Sequence, residues 1–136
     1  KRWVIPKGWT MEGKADHEAA AIEAYEEAGV RGMADANPLG GYSYVKTMQS
    51  GKPRLLNVQV FSIAVDEVLE DWPERLERER RWVAPQQALA LIGEPELLPV
   101  IAVFAKREGN AVTQLKTEAK FFAVMKTWWR LLWAGR

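Results

Sequence analysis

The sequence predicts an α/β or α+β domain, on two observations. Strand-like and helix-like segments interleave along the chain, and 48% of the 136 residues are hydrophobic, enough to bury a core. The length suits one compact domain.

Arg2-Trp3-Val4-Ile5 reads as a short strand, which Pro6 ends because it has no N–H to give a ladder. Residues 6–16 have loop composition, Asp16 is placed to cap a helix from His17 to Ala28, and Gly29 to stop it. Tyr42 to Val45 and Leu55 to Val65 flank Gln49-Ser50-Gly51-Lys52 and predict a β-hairpin with a long second arm. A charged loop from Asp66 to Glu79 precedes a short strand, Arg81-Trp82-Val83. Pro85 suits the first turn of a helix to Ile92, and Pro95 that of another to Lys106.

Arg107-Glu108-Gly109-Asn110 reads as a linker, dividing a domain at 1–108 from a helical extension at 109–136. Its helix, Thr113 to Trp133, would place Phe122, Met125, Trp129 and Leu132 on one stripe, with Lys116, Lys120, Lys126 and Arg130 elsewhere. Such a basic amphipathic helix suits a membrane surface or a partner. Tryptophans are costly to expose, so the stripe is expected to cover the domain's own core or, next, to form a homodimer.

The 19 Lys and Arg residues nearly balance 18 Asp and Glu, so no strong field steers the molecule toward nucleic acid or acidic membranes. Cysteine is absent, excluding disulfides, thiolate metal sites and cysteine nucleophiles. A reducing compartment fits, and the cytoplasm is the expected location. No segment has the apolar length of a secretion signal or a transmembrane span.

Chemistry concentrates on the first helix, where Glu23, Glu26 and Glu27 fall within an arc of roughly 100°. Like charges so close cost a few tenths of a kcal/mol per pair unless solvated or offset by a cation. Mg²⁺ or Mn²⁺ suits them, since both take hard oxygen ligands and bind together with substrate phosphates. On an arbitrary helix three glutamates are usually a wet face, so the setting decides.

That setting is Gly8 followed by Glu23-Ala24-Tyr25-Glu26-Glu27-Ala28-Gly29-Val30, in the register of the Nudix signature. The chain resembles Nudix hydrolases over its first quarter, Trp3-Val4-Ile5-Pro6-Lys7-Gly8 included. The resemblance implies an α/β/α sandwich with a mixed sheet and one or two strands before the signature, to which the C-terminal amphipathic helix is added. Only five residues precede Pro6, so N-terminal strands are expected to be missing. Two signature positions depart: Lys14 stands where the family has a glutamate and Ile22 where it has an arginine.

The resemblance also implies that Glu23 and Glu27 hold the metal and that Glu26 ligates a second ion or assists through water. The carbonyl near Lys7 and Gly8 would complete the shell. A metal-activated water would then attack a pyrophosphate phosphorus. The family often adds a later-loop glutamate as base, for which Glu67, Glu70, Glu74, Glu77 and Glu79 are the choices. Lys7, Lys46, Lys52 and Arg54 are basic groups that would line a phosphate site, Lys7 and Arg54 foremost. His17, the only histidine, reads as a surface residue.

Asp66-Glu67-Val68-Leu69-Glu70-Asp71-Trp72 and Arg80-Arg81-Trp82-Val83 resemble the diphosphoinositol polyphosphate and diadenosine polyphosphate phosphohydrolase branch. A small, highly anionic substrate is therefore expected, and nucleic acid is not expected as main partner. ADP-ribose, nucleotide sugars, nucleoside triphosphates and capped RNA remain open, as does a non-catalytic ligand-binding module.

Overall fold

The computed structural model describes residues 3–117 and 131–135. Helix α1 (Asp16–Ala28) leads into β1 (Val30–Ala34), followed by β2 (Gly40–Thr47), β3 (Pro53–Val60), β4 (Ile63–Val68) and β5 (Arg78–Trp82). Helix α2 (Pro85–Leu91), a 3-10 turn (Pro95–Leu97), helix α3 (Leu98–Thr117) and β6 (Leu131–Gly135) complete the order. The architecture is α+β. β1 pairs with β4, β2 with β3 and β5 with β6, all antiparallel, and a parallel bridge joins Trp3 to Ile92.

Local chemistry fixes the ends of α1. Ala15 is extended and its N–H donates to Glu18 Oε2 at 2.9 Å, while Asp16 and Glu18 face the positive end of the helix dipole. Asp16 is thus the first helical residue and Ala15 the cap, a one-residue shift from expectation. Gly29 sits at φ 63°, the left-handed conformation that ends helices, and its N–H reaches Tyr25 O at 2.9 Å.

The long hairpin arm expected over Leu55 to Val65 is two strands. β3 stays with β2, and after Phe61 and Ser62 the chain crosses to β1 as β4. The cause is competition between ladders, since Ser62 O accepts from Asp35 N at 2.8 Å and Val60 O from Leu39 N at 2.7 Å. β5 opens at Arg78, earlier than expected, because its register runs from Arg78 opposite Gly135 to Trp82 opposite Leu131.

α3 passes through residues 107–110, so the linker expected there is helical. Gly109 in a helix interior costs about 1 kcal/mol against alanine, which a 20-residue helix can carry. Residues 131–135 are a strand where a helix was expected, because their backbone pairs with β5. Of the apolar stripe, Phe122, Met125 and Trp129 lie outside the described residues, and Leu132 lies opposite Arg81 in β6.

The core joins Trp3, Tyr42, Val60, Leu97, Val100 and Ile101, which packs the hairpin against α2 and the start of α3. Among the described residues no helix is long and apolar enough to cross a membrane. Leu97 is fully buried at the centre of this cluster. Leu97→Ala should cost about 2 to 5 kcal/mol by leaving a cavity. Urea unfolding checks this, and a loss under about 1 kcal/mol would show that the site collapses.

Candidate active site

Three segments meet at the carboxylate face of α1. The loop Pro6–Gly8 comes from the N-terminal side, Trp72–Glu74 from the turn after β4, and Arg78 from the start of β5. Glu27 is the junction. It is 7% exposed, and its Oε2 accepts the Lys7 backbone N–H at 3.0 Å while its Oε1 accepts Arg78 Nη2 at 2.9 Å. Arg78 Nε also donates to Glu74 Oε2 at 2.6 Å, so one guanidinium ties the helix carboxylate to a later-loop carboxylate.

Glu23 lies one turn earlier, against the glycine of the loop. A Cβ added to Gly8 would stand 1.9 Å from Glu23 Oε1, so only glycine lets the backbone approach at this rotamer. Burial, then Glu26 and Glu74, raise the Glu23 carboxyl above its ordinary range, against a lowering by Arg78. Glu27 is also raised, by burial above all, with the Lys7 N–H and Arg78 opposing and Glu74 and Glu23 adding. The side chains of Glu23 and Glu26 make no hydrogen bond or ion pair among the described residues.

The frame behind the carboxylates is tightly connected. Trp72 Nε1 donates to Glu27 O at 3.1 Å, and its ring packs over Gly29, where a Cβ would come within 2.8 Å. Arg80 stacks 4.5 Å from the Trp72 ring centre and donates to Ala28 O at 2.7 Å and Leu69 O at 3.0 Å. These contacts cap the last carbonyls of α1. The Glu74 N–H adds a bond to Glu26 O at 3.0 Å.

The sequence-predicted residues separate into those brought together and those placed elsewhere. Glu23, Glu26, Glu27 and Gly8 share one site. Of the later glutamates Glu74 adjoins it, whereas Glu67 pairs with Arg31 at the surface and Glu70, Glu77 and Glu79 are exposed. The Lys7 ammonium, expected at the substrate, pairs with buried Glu94 and lies 4.5 Å from the Tyr44 ring centre. Arg54 stands on β3 opposite Lys46, whose ammonium lies 5.9 Å from the ring of Trp9, next to Gly8. His17 packs near Phe61 with ring centres 6.3 Å apart.

Sequence reasoning missed Arg78 and Glu94. Arg78 sits in a stretch dense in Arg and Glu, where spacing singles out none of them. Glu94 had a weak signal, as one of two acids in Gly93-Glu94-Pro95-Glu96 between apolar runs.

Among the described residues no three acidic or histidine side chains converge as a ready-made cage. The donor set still fits Mg²⁺, which binds through one or two carboxylates plus substrate phosphates rather than an all-protein cage. The fit rests on Glu23 touching the Gly8 backbone and on the nearby Glu26 and Glu74, which with burial raise the Glu23 carboxyl. A cavity of about 510 Å³ borders this loop, with Lys7, Gly8 and Glu23 on its rim and apolar walls from Val58, Val60 and Phe104.

The NUDIX domain profile matches residues 1–104, and the chain belongs to the Nudix family. It is 41% identical over 91 residues to Nudix hydrolase 12, mitochondrial, of Arabidopsis thaliana, covering 65% of this chain and 45% of that protein. Diphosphoinositol polyphosphate phosphohydrolase 3-alpha of Mus musculus is 33% identical over 94 residues, 67% of this chain and 52% of that protein. The chain spans about half the length of these curated relatives. No solved structure matches it.

The raised Glu23 carboxyl has a definite pH signature. The fold favours its protonated form, so its stabilising contribution is full below the ordinary carboxylate pKa and is lost as pH rises toward the raised value. In a metal chelator, wild type should therefore lose stability relative to Glu23→Gln across that window, leaving the variant more stable at neutral pH. Urea midpoints of both proteins against pH check this, and parallel curves would place Glu23 in solvent.

Proposed function

We propose that the chain is a metal-dependent Nudix pyrophosphohydrolase that cleaves a phosphoanhydride bond of a highly phosphorylated small molecule, diphosphoinositol polyphosphates or diadenosine polyphosphates foremost. The observation that carries this is the Glu23, Glu26 and Glu27 set meeting the Gly8 backbone on one side and Glu74, through Arg78, on the other.

A divalent cation held by Glu23, Glu26 and Glu27 beside the Gly8 backbone would neutralise charge developing on the phosphoryl oxygens. Water attacks one phosphorus, the bond from it to the bridging oxygen breaks, and the second phosphate leaves with that oxygen. We assign the water's proton to Glu26, whose carboxylate makes no hydrogen bond or ion pair among the described residues. Glu74 is the later-loop carboxylate placed to take over that role. Glu27, fixed by Lys7 and Arg78, sets the geometry of the other two.

Support for an anionic substrate comes from the hairpin. Lys46 reaches toward Trp9 beside the metal loop, and Arg54 faces Lys46 across the ladder, both exposed. The name of the Mus musculus relative points to the same substrate class. A non-catalytic phosphate-binding module is the second reading, favoured by Lys14 and Ile22 at signature positions.

A Mg²⁺-dependent phosphate-release screen across inositol pyrophosphates, diadenosine polyphosphates, nucleotide sugars, ADP-ribose and nucleoside triphosphates separates the readings. Turnover should be greatest on the first two. Glu27→Gln should lower kcat by about 10 to 100-fold or more, the scale seen when a metal site loses a supporting group, with its circular dichroism unchanged. Wild-type turnover in that variant, or tight binding of every compound with no release, would overturn the hydrolase assignment.

A further inference from the structure

Residues 3–8 run alongside residues 92–94, and two attachments fix them. At one end Trp3 bridges Ile92 in parallel, and Trp3 O accepts the Gly93 N–H at 3.1 Å. At the other, the Lys7 ammonium donates to Glu94 Oε1, and Tyr42 OH donates to Glu94 Oε2 at 3.0 Å. Glu94 is 5% exposed, a burial that a carboxylate sustains only when its oxygens are satisfied.

Lys7 is therefore held at two points by two different acids. Its side chain is taken by Glu94, and its backbone N–H goes to Glu27 Oε2 at 3.0 Å. The Tyr44 ring below the ammonium narrows the directions it can take. Gly8, the next residue, is the one pressed on Glu23. We propose that Glu94 is a positioning residue of the carboxylate site: by anchoring the Lys7 ammonium it sets the Lys7 N–H on Glu27 and the Gly8 backbone on Glu23. The basic side chain beside the metal loop then serves the protein's own geometry and leaves the substrate's phosphates to other cations.

The role goes beyond the ligand set and rests on the metal-site reading only for its effect on cation affinity. Two readouts on the full chain keep the ideas apart: amide hydrogen exchange of Lys7 and Gly8 in metal-free protein, and Mn²⁺ affinity without substrate. Glu94→Gln keeps an acceptor for Tyr42 but loses the charge. It should speed Lys7 amide exchange at least 10-fold, leave Val100 and Ile101 in α3 protected, and weaken Mn²⁺ binding by about 10 to 100-fold, the scale seen when groups supporting metal ligands are removed. Lys7→Arg in otherwise wild-type protein, which retains the charge for Glu94, should keep most of the Lys7 amide protection and of the Mn²⁺ affinity.

If Glu94→Gln does not fold, Tyr42→Phe decides, with a smaller loss in the same two readouts expected. Unchanged Lys7 exchange in Glu94→Gln, or in Tyr42→Phe where that variant decides, overturns the proposal, as does exchange that rises equally in α3. Wild type that binds Mn²⁺ yet releases no phosphate overturns the hydrolase reading alone. Wild type without Mn²⁺ affinity overturns the metal site while the exchange result still judges Glu94.

Discussion

Burying a carboxylate is unfavourable unless both of its oxygens find strong donors, and Glu27 meets that condition with two donors from opposite directions. Because Lys7 and Arg78 are 71 positions apart in the chain, satisfying Glu27 brings the N-terminal loop and β5 to the same helix face. Arg78 extends the link to Glu74, and the Trp72 indole binds the Glu27 carbonyl. Remove the Glu27 carboxylate and two donors lose their acceptor while three segments lose their meeting point. The site and the packing around the end of α1 are therefore one problem in electrostatics.

The acids and bases around that point are arranged in tandem. Burial first, then nearby Glu26 and Glu74, raise the Glu23 carboxyl, and Arg78 opposes them. A second cation, Lys7, lies in the adjacent loop, but Glu94 holds its charge away from the cluster. The consequence is an acidic site with incomplete internal neutralisation. This is the condition under which a divalent cation gains most from binding, because it relieves repulsion that the fold cannot relieve alone. The same arrangement explains why burial of Glu23 is tolerable: part of its surface meets the Gly8 backbone rather than hydrocarbon.

What the sequence revealed followed from short-range physics. The span of α1 was readable because a helical period, an acidic first turn and Gly29 all fall within 14 residues, and Glu23, Glu26 and Glu27 share a face whatever the rest of the chain does. The hairpin turn was equally local, since Gly51 at φ 78° closes it. The misreadings arose where partners are distant. Nothing between Leu55 and Val65 tells the chain to leave β2 for β1, and nothing in Leu131–Gly135 reveals that β5 will accept it as a strand. Arg78 and Glu94 escaped for the same reason, because their roles depend on Glu27 and Lys7, 51 and 87 positions away.

The departures from the signature gain a physical sense in this light. At position 22 the signature pattern has an arginine, and this chain has Ile22, half-buried on α1. A guanidinium is nonetheless present at the carboxylates, contributed from across the fold by Arg78. Lys14, at the other altered position, is exposed in a turn closed by its own N–H on Met11 O at 3.2 Å and Gly13 at φ 73°. Losing a charge at one position and reversing it at the other thus leaves no buried charge unpaired at either one. The cation on Glu27 comes from β5, where the guanidinium also reaches Glu74. A charge placed on β5 couples the helix carboxylate to the turn after β4, because one guanidinium holds Glu27 and Glu74 together.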